Sequence, residues 1–521
     1  MHSRHILDYL VVAAYFLTVA SIGLWAARRK KRTTDDYFLA NRSMPGWIVG
    51  FAVVGTVISS VSFVAHPGAA FARNWWLIVP NLMVPLVLIF VVIYVVPFYR
   101  RVVKMSSYEY LEKRFGFFAR IYGSTGFLLL RTIDLGFTLL LTAIAVEVVT
   151  GWDIRMVIIS IGIFTVLYTL VGGLEAVVYT DVLQGLVLAV GALTVLMVIL
   201  LRADGGPAAV VSTAYAGGKF GFGDLTLTWQ SLFSSQPTFW ILALSGILHF
   251  GRSYMTEPNM VQRYLMAGSD REAQRGVMAG ALSCVPIWLT FAFIGSCLWG
   301  FYQLSSQFIP PEVLEKPDNI LPYFISTQLP PGLVGLILAA ILSACNSSVS
   351  SDLNSVGTVV TQDYFVRARP NSSERSRLLF GRSAVCITGL LCVLVALVLI
   401  SARAKALIEL IVTLGMIFSG GMLGLFALGF LSTRATRRGA YIGTAICLTF
   451  ILWATITGPL GIDLGINFTM HPIMIGVFSH FILFLTGYVA SLLFKGYRPD
   501  PTGLTIWSRK SDLRTPAAQE G

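Results

Sequence analysis

Apolar residues run through this chain in long blocks, and polar residues collect in the short stretches between them. The blocks cover residues 8–27, 45–71, 75–98, 121–150, 156–173, 174–201, 239–250 with its continuation, 277–302, 333–365, 384–400, 407–431, 441–457 and 473–494. About 20 apolar residues carry an α-helix across the hydrocarbon core of a bilayer. The pattern therefore predicts an all-α polytopic membrane protein with about 13 transmembrane helices. Two blocks are interrupted. In the second, Gly55 to Pro67 reads GTVISSVSFVAHP, which puts small and hydroxyl residues at membrane depth ahead of a Pro-Gly pair. In the seventh, the apolar run ends near Phe250 and continues as GRSYMTEPNMVQRY. Five segments separate the two interruptions, the spacing of two five-helix repeats of inverted topology that each open on a broken helix. Unwound backbone is tolerated at that depth only where it lines a cavity or binds something.

Composition sharpens this picture. Of 521 residues, 55% are hydrophobic and only 12% charged, about half the charge of an ordinary soluble domain. That excludes a soluble enzyme with one or two cores, a disordered chain and a nucleic-acid binder. The net charge of +12 resides mostly in short loops. With the N-terminus outside, the inner loops hold Arg28 to Arg32, then Arg100, Arg101 and Lys104, then Arg263, Arg271 and Arg275. Further along they hold Arg367, Arg369, Arg375 and Arg377, then Arg434, Arg437 and Arg438. The outer loops are lighter, with Arg73, Arg202 and Asp204, and an acidic stretch of Glu312, Glu315 and Asp318. This alternation predicts a cell-membrane protein with its N-terminus outside and its C-terminus cytoplasmic. The first cationic cluster follows its apolar block, so the block reads as a retained helix and not as a signal peptide. The polar stretch after Phe494 is too short for a kinase or nucleotide-binding domain, and no Walker motif occurs. Cys284, Cys297, Cys345, Cys386, Cys392 and Cys447 lack metal-ligand spacing and read as small packing residues.

Chemistry concentrates in the ninth block, where Ala344 to Ser355 reads ACNSSVSSDLNS. Positions 344, 347, 348 and 351 form one helical stripe. Isolated hydroxyls in membrane helices bond to a neighbouring helix or to the preceding turn. Four serines within five positions, followed by Asp352, exceed that need. Hydroxyls together with freed carbonyls supply the oxygens that a hard monovalent cation takes. A second ionisable group, Asp181, lies in LEAVVYTDVLQGLVL at the start of the sixth block. An intramembrane carboxylate is costly and functional by default, although one at a helix N-terminus is also favoured by the dipole. In the fourth block Arg131 and Asp134 stand three apart on one face, close enough to pair.

These stretches resemble the sodium:solute symporter family. The most specific are SSYEYLEKRFG (Ser106 to Gly116), YTLVGGLEAVVYTDVLQG (Tyr168 to Gly185), MVQRYL (Met260 to Leu265) and NSSVSSDLNS (Asn346 to Ser355). The resemblance extends from DDYFLANRSMPGW to TRRGAYIG, and SSVSF and the serine-rich helix look most like the family's bacterial sialic-acid carriers. It implies a leucine-transporter-like 5+5 inverted repeat with one helix before and two after the core. It also implies a shared Na+ site made of the Gly55, Ile58 and Ala344 carbonyls with the Ser347 and Ser348 hydroxyls. A second Na+ site, found in some members, maps to Asp181, Ser347, Ser350 and Ser351, and Asp352 departs from the small neutral residue usual there.

The solute pocket is expected between the two breaks, from Ser59, Ser60, Ser62 and Phe63, with Trp76 on the third segment. His249, Arg252 and Thr256 would approach from the seventh, and Thr413 or Phe418 from the eleventh. Sialic-acid carriers fork the substrate carboxylate with an arginine on the fourth helix. Here that position aligns with Asp134, and Arg131 falls one turn earlier. Asp134 facing the pocket would suit a neutral, hydroxyl-rich solute; a free Arg131 would suit a carboxylate.

The expected organisation is a first helix and basic loop (1–44), repeat one (45–202), an extracytoplasmic connection (203–236), repeat two (237–431), and two peripheral helices with a short tail (432–521). The expected function is Na+-coupled import of a small polar solute, a sugar or sugar-like compound, by a symporter and not an enzyme. Na+ is the coupling ion, with no organic cofactor, nucleic acid or obligate protein partner. A monocarboxylate, amino-acid or vitamin symporter, or a non-transporting sensor on the same fold, are the alternatives.

Overall fold

The computed structural model describes residues 2–28, 33–305, 307–400, 420–494 and 501–507. Among these the fold is helical throughout, and a single bridge between Met44 and Ala267 is the only extended pairing. Nine described helices are long and apolar enough to cross a membrane, or ten if the bent pair Gly46–Val57 and Ser60–Ala72 is one crossing. The expected runs 156–173 and 174–201 form one 49-residue helix, Ile154–Arg202, kinked at Gly173. There φ is 59°, and a Cβ would stand 2.8 Å from the Tyr37 carbonyl oxygen, so only glycine fits. The first half of the eleventh run lies outside the described residues, and Met422–Leu431 is its described end.

The helix Leu333–Val359 sits at the centre, with every residue from Ile337 to Val359 buried. It is apolar for two turns and then polar, so its amides and hydroxyls must bond inside the bundle. Thr165 donates to the Asn346 side chain at 2.6 Å, Tyr168 to the Asn346 carbonyl at 3.0 Å, and Gln262 to Thr358 at 2.6 Å. Five of the six cysteines are buried and Cys386 is partly so, in keeping with packing roles.

Both breaks occur, each inside the stretch that composition marked. The first falls at Ile58–Ser59, whose backbones are extended, and bends the two halves by 57°. Pro67 sits inside the second half without ending it. The seventh segment stays helical past Phe250 to Thr256 and breaks at Glu257 (φ −84°, ψ 130°). Pro258 explains this, because its ring drives the preceding residue out of the helical region. A new helix, Pro258–Leu265, then starts with Pro at its first position.

Small residues set the packing around the first break. The helix Asp270–Leu304 lies directly on it: a Cβ at Gly280 would meet Gly50 Cα and Val53 Cβ at 2.9 Å, and one at Gly295 would meet Pro67 Cα at 2.7 Å. Backbone-to-backbone approach of this kind needs glycine. Gly280→Ala should therefore destabilise the protein by about 1–3 kcal/mol, the usual cost of overpacking. Gly476→Ala, where the added methyl meets nothing within 4 Å, should leave the melting temperature of the purified protein unchanged or slightly raised.

Candidate functional site

Unwinding at Ile58–Ser59 brings two main-chain carbonyls to face the serine stripe. Ser348 Oγ stands 3.5 Å from the Gly55 carbonyl oxygen and 3.4 Å from that of Ile58. Those separations are long for hydroxyl hydrogen bonds. A hard cation with about 2.3–2.6 Å to each oxygen holds neighbouring ligands of an octahedral shell about 3.3–3.7 Å apart, which matches. Ala344 lies one turn earlier on the same buried helix. At Gly55 a Cβ would stand 2.9 Å from the Asp181 carboxylate and would collide with Ser347 Oγ, so a larger residue there would displace both side chains of the cluster.

Asp181 lies well inside the helix Ile154–Arg202, so the dipole of a helix N-terminus does not account for it. It accepts a 2.5 Å hydrogen bond from Ser347 Oγ, and its second oxygen has no hydrogen-bond donor. Ser350 donates back to the Ser347 carbonyl at 3.1 Å. Ser351 accepts from Arg263 Nη2 at 2.6 Å, and the same nitrogen is 3.7 Å from Asp181 Oδ2. Of the four expected second-site residues, Asp181, Ser347 and Ser351 are joined through hydrogen bonds and the fully buried Arg263 guanidinium, while the Ser350 hydroxyl is spent on its own helix. Arg263 also donates to Thr56 Oγ1 at 3.1 Å, on the last turn before the first break. By its place among the polar residues Arg263 is expected in an inner loop; the helix Pro258–Leu265 carries it into the bundle instead.

Beside this cluster, between the two breaks, lies a cavity of about 230 Å³. Ser62, Arg131, Asp134, His249 and Arg252 line it, as expected, together with His66, Asn81 and Glu257. Ser62 accepts from Trp288 Nε1 at 3.4 Å, and Asn81 and His66 are joined at 3.0 Å. A larger space of about 450 Å³ shares His66, Asn81, His249 and Arg252 with it and reaches the start of the helix Ile473–Leu493.

Five expected pocket residues do not line the cavity. Ser59 heads the second half of the broken helix, and Ser60 is buried with its hydroxyl toward the Thr138 carbonyl, 3.4 Å away. Phe63 packs on Phe291, and Trp76 stacks under Arg73 at 5.7 Å. Thr256 bonds back to the Arg252 carbonyl at 2.8 Å. Thr413 and Phe418 lie outside the described residues.

The expected Arg131–Asp134 pair is the weakest of Arg131's contacts, at 3.7 Å. Arg131 instead reaches Asp352 at 3.2 Å and Glu257, and Arg252 meets Glu257 at 2.7 Å. Asp352, which also accepts from Asn259 at 2.7 Å, thus belongs with the arginine and not with the ion cluster. Glu257 escaped the sequence reading. Its signal was a charged residue directly before a proline in a membrane segment.

The sodium:solute symporter family model matches residues 37–447. The sodium/sialic acid symporter NanT of Aliivibrio fischeri is 31% identical over 94% of both chains. SiaT of Proteus mirabilis, also a sodium/sialic acid symporter, is 30% identical over 95% of this chain and 96% of its own. A solved structure of a Na+-coupled sialic acid symporter, substrate-bound and outward-open with a novel Na+ site, superposes with a TM-score of 0.83. It shares 28% identity and is covered over 98% of its length, with 94% of this chain. Broken-helix carbonyls opposed to buried hydroxyls, a polar cavity beside them and a family match of this extent lead to one conclusion: the chain belongs to the sodium:solute symporter family.

Proposed function

We propose that this protein imports a small, polar, sugar-like solute across the cell membrane together with Na+, and catalyses no bond-making step. The observation that carries the reading is the gathering of the Gly55 and Ile58 carbonyls and Ser348 Oγ at cation-shell spacing beside the 230 Å³ cavity. Ala344 and Ser347 complete the proposed Na+ site. The inward Na+ gradient supplies the work, its electrical part about 2.3 kcal/mol per charge per 100 mV. Coupling follows if Na+ bound between the broken helix and the serine helix favours the conformation that presents the cavity.

Thirteen crossings in a 5+5 inverted repeat fit this function. The count follows when the kinked Ile154–Arg202 helix is two crossings, and the broken pair, the Phe239–Leu265 segment and residues 407–431 are one each. The repeats would be 45–202 and 237–431, flanked by 1–44 and 432–521 and joined by 203–236. Loop charges favour an outer N-terminus, which makes the end of the bundle nearest Ile473 the outer one and the arrangement outward-facing. Asp181, Ser350 and Ser351 would form a second Na+ site only when Arg263 yields Ser351, so Arg263 competes with the second ion.

The related proteins are sodium/sialic acid symporters, and a carboxylate is the group that a free guanidinium pairs with best. Here Arg131 is already held by Glu257 and Asp352, which favours a solute other than a sugar acid.

Uptake of labelled sugar-like solutes into proteoliposomes should require an inward Na+ gradient; equal uptake without it would end the symport reading. Ser348→Ala should raise the Na+ concentration for half-maximal uptake several-fold while the protein still elutes as a folded species. Asp181→Asn leaves Arg263 as an uncompensated buried cation and should cost about 3–5 kcal/mol of stability. Adding Arg263→Gln should recover part of that loss, a difference that thermal melting of the single and double variants resolves.

A further inference from the structure

We propose that the transported solute carries a protonated amine, seated against Asp134, so that its class is an amine-bearing polyhydroxy compound of the amino-sugar type. This rests on the reading of the 230 Å³ cavity as the solute site. Around that cavity two guanidiniums, Arg131 and Arg252, face three carboxylates, Asp134, Glu257 and Asp352. Before Na+ binds, one negative charge is left over. The adjoining Asp181 and Arg263 balance each other and offset none of it.

The pairing decides which group carries the excess. Glu257 is clamped between both arginines, with a side chain only 3% exposed. Arg131 also lines the cavity, but its guanidinium is engaged by Glu257 and Asp352 and lies over the Phe127 ring at 5.8 Å. Asp134 has no hydrogen bond among the described residues. Its nearest cation is Arg131 at 3.7 Å, and its side chain is 48% exposed in the cavity wall. The group that meets the solute on this side is therefore a carboxylate.

A solute that fills the cavity strips water from Asp134, and the lost hydration must be replaced. Hydroxyls replace part of it. An ammonium returns charge-assisted hydrogen bonds, roughly twice as strong as neutral ones. An acid in the same place adds like-charge repulsion. The remaining polar wall, Ser62, Asn81, His66 and Ser253, consists of hydroxyl, amide and imidazole groups suited to sugar hydroxyls, while Trp288 and Phe250 offer apolar faces to ring carbons.

The test uses the full-length protein in Na+ and matched probes. Glucosamine, galactosamine and mannosamine are each compared with the N-acetyl derivative, whose amide carries no charge, at a pH below the amine's pKa. N-acetylneuraminate serves as the acidic probe. At least one amine should bind tenfold or more tightly than its N-acetyl partner and than N-acetylneuraminate. The isosteric Asp134→Asn should erase that preference without weakening the N-acetyl partner. An N-acetyl sugar or N-acetylneuraminate bound better than every amine, no binding by any amine, or a preference that survives Asp134→Asn overturns the proposal. If an N-acetyl sugar or N-acetylneuraminate that binds better than every amine is taken up under a Na+ gradient, the symport reading stands while the amine is ruled out. Gradient-independent uptake of every probe removes the symport reading instead.

Discussion

A helix buried on every side that carries six serines, two asparagines and an aspartate between Leu333 and Val359 is the constraint from which the rest follows. Neither lipid nor bulk water can satisfy those groups, so the surrounding helices must. Thr165 and Tyr168 serve Asn346, Asp181 serves Ser347, Arg263 serves Ser351, Asn259 and Arg131 serve Asp352, and Gln262 serves Thr358. Each of these partners comes from a kinked or broken segment or from the helix facing it. Ser343 Oγ and Asn354 Oδ1 remain without a hydrogen-bond partner among the described residues, and at Ser348 the carbonyl oxygens of Gly55 and Ile58 stand 3.5 and 3.4 Å away, the spacing on which the proposed Na+ site rests.

Much of this was legible in the order of residues. Long apolar blocks gave the helices, because nothing else about a membrane helix matters as much as its length and apolarity. The serine stripe and the GTVISS interruption pointed to each other because both place polar atoms where polar atoms are expensive. Less legible was which charge meets which. Arg131 and Asp134 are neighbours in sequence, yet Arg131 prefers Glu257 and Asp352, which come from other helices and approach more closely. Arg263 looked like a loop arginine because hydropathy registers a break as the end of a span. In three dimensions the chain turns at Glu257 and carries MVQRYL back into the protein. Several pocket candidates failed for a simpler reason: on a helix only one face reaches a cavity, and Ser60 and Phe63 occupy the other.

Glu257 illustrates how backbone and charge are joined here. Pro258 forces its backbone out of helical geometry, and that same displacement puts its carboxylate between arginines from two helices, Phe117–Thr150 and Phe239–Thr256. A break made for steric reasons thereby becomes an electrostatic joint between halves of the bundle.

The glycine contacts beneath the first break have a mechanical consequence. Where Gly280 lies on Gly50 and Gly295 on Pro67, no side chains intervene to reorient as one helix slides past the other. The two surfaces are keyed, backbone against backbone, and any displacement along the contact drives Cα atoms into carbonyls. Gly46–Val57 and its partner helix consequently travel as one rigid unit. Because Pro67 belongs to Ser60–Ala72, both halves of the broken helix are keyed to that one partner, and the interruption at Glu257 is the joint that this contact leaves free to bend.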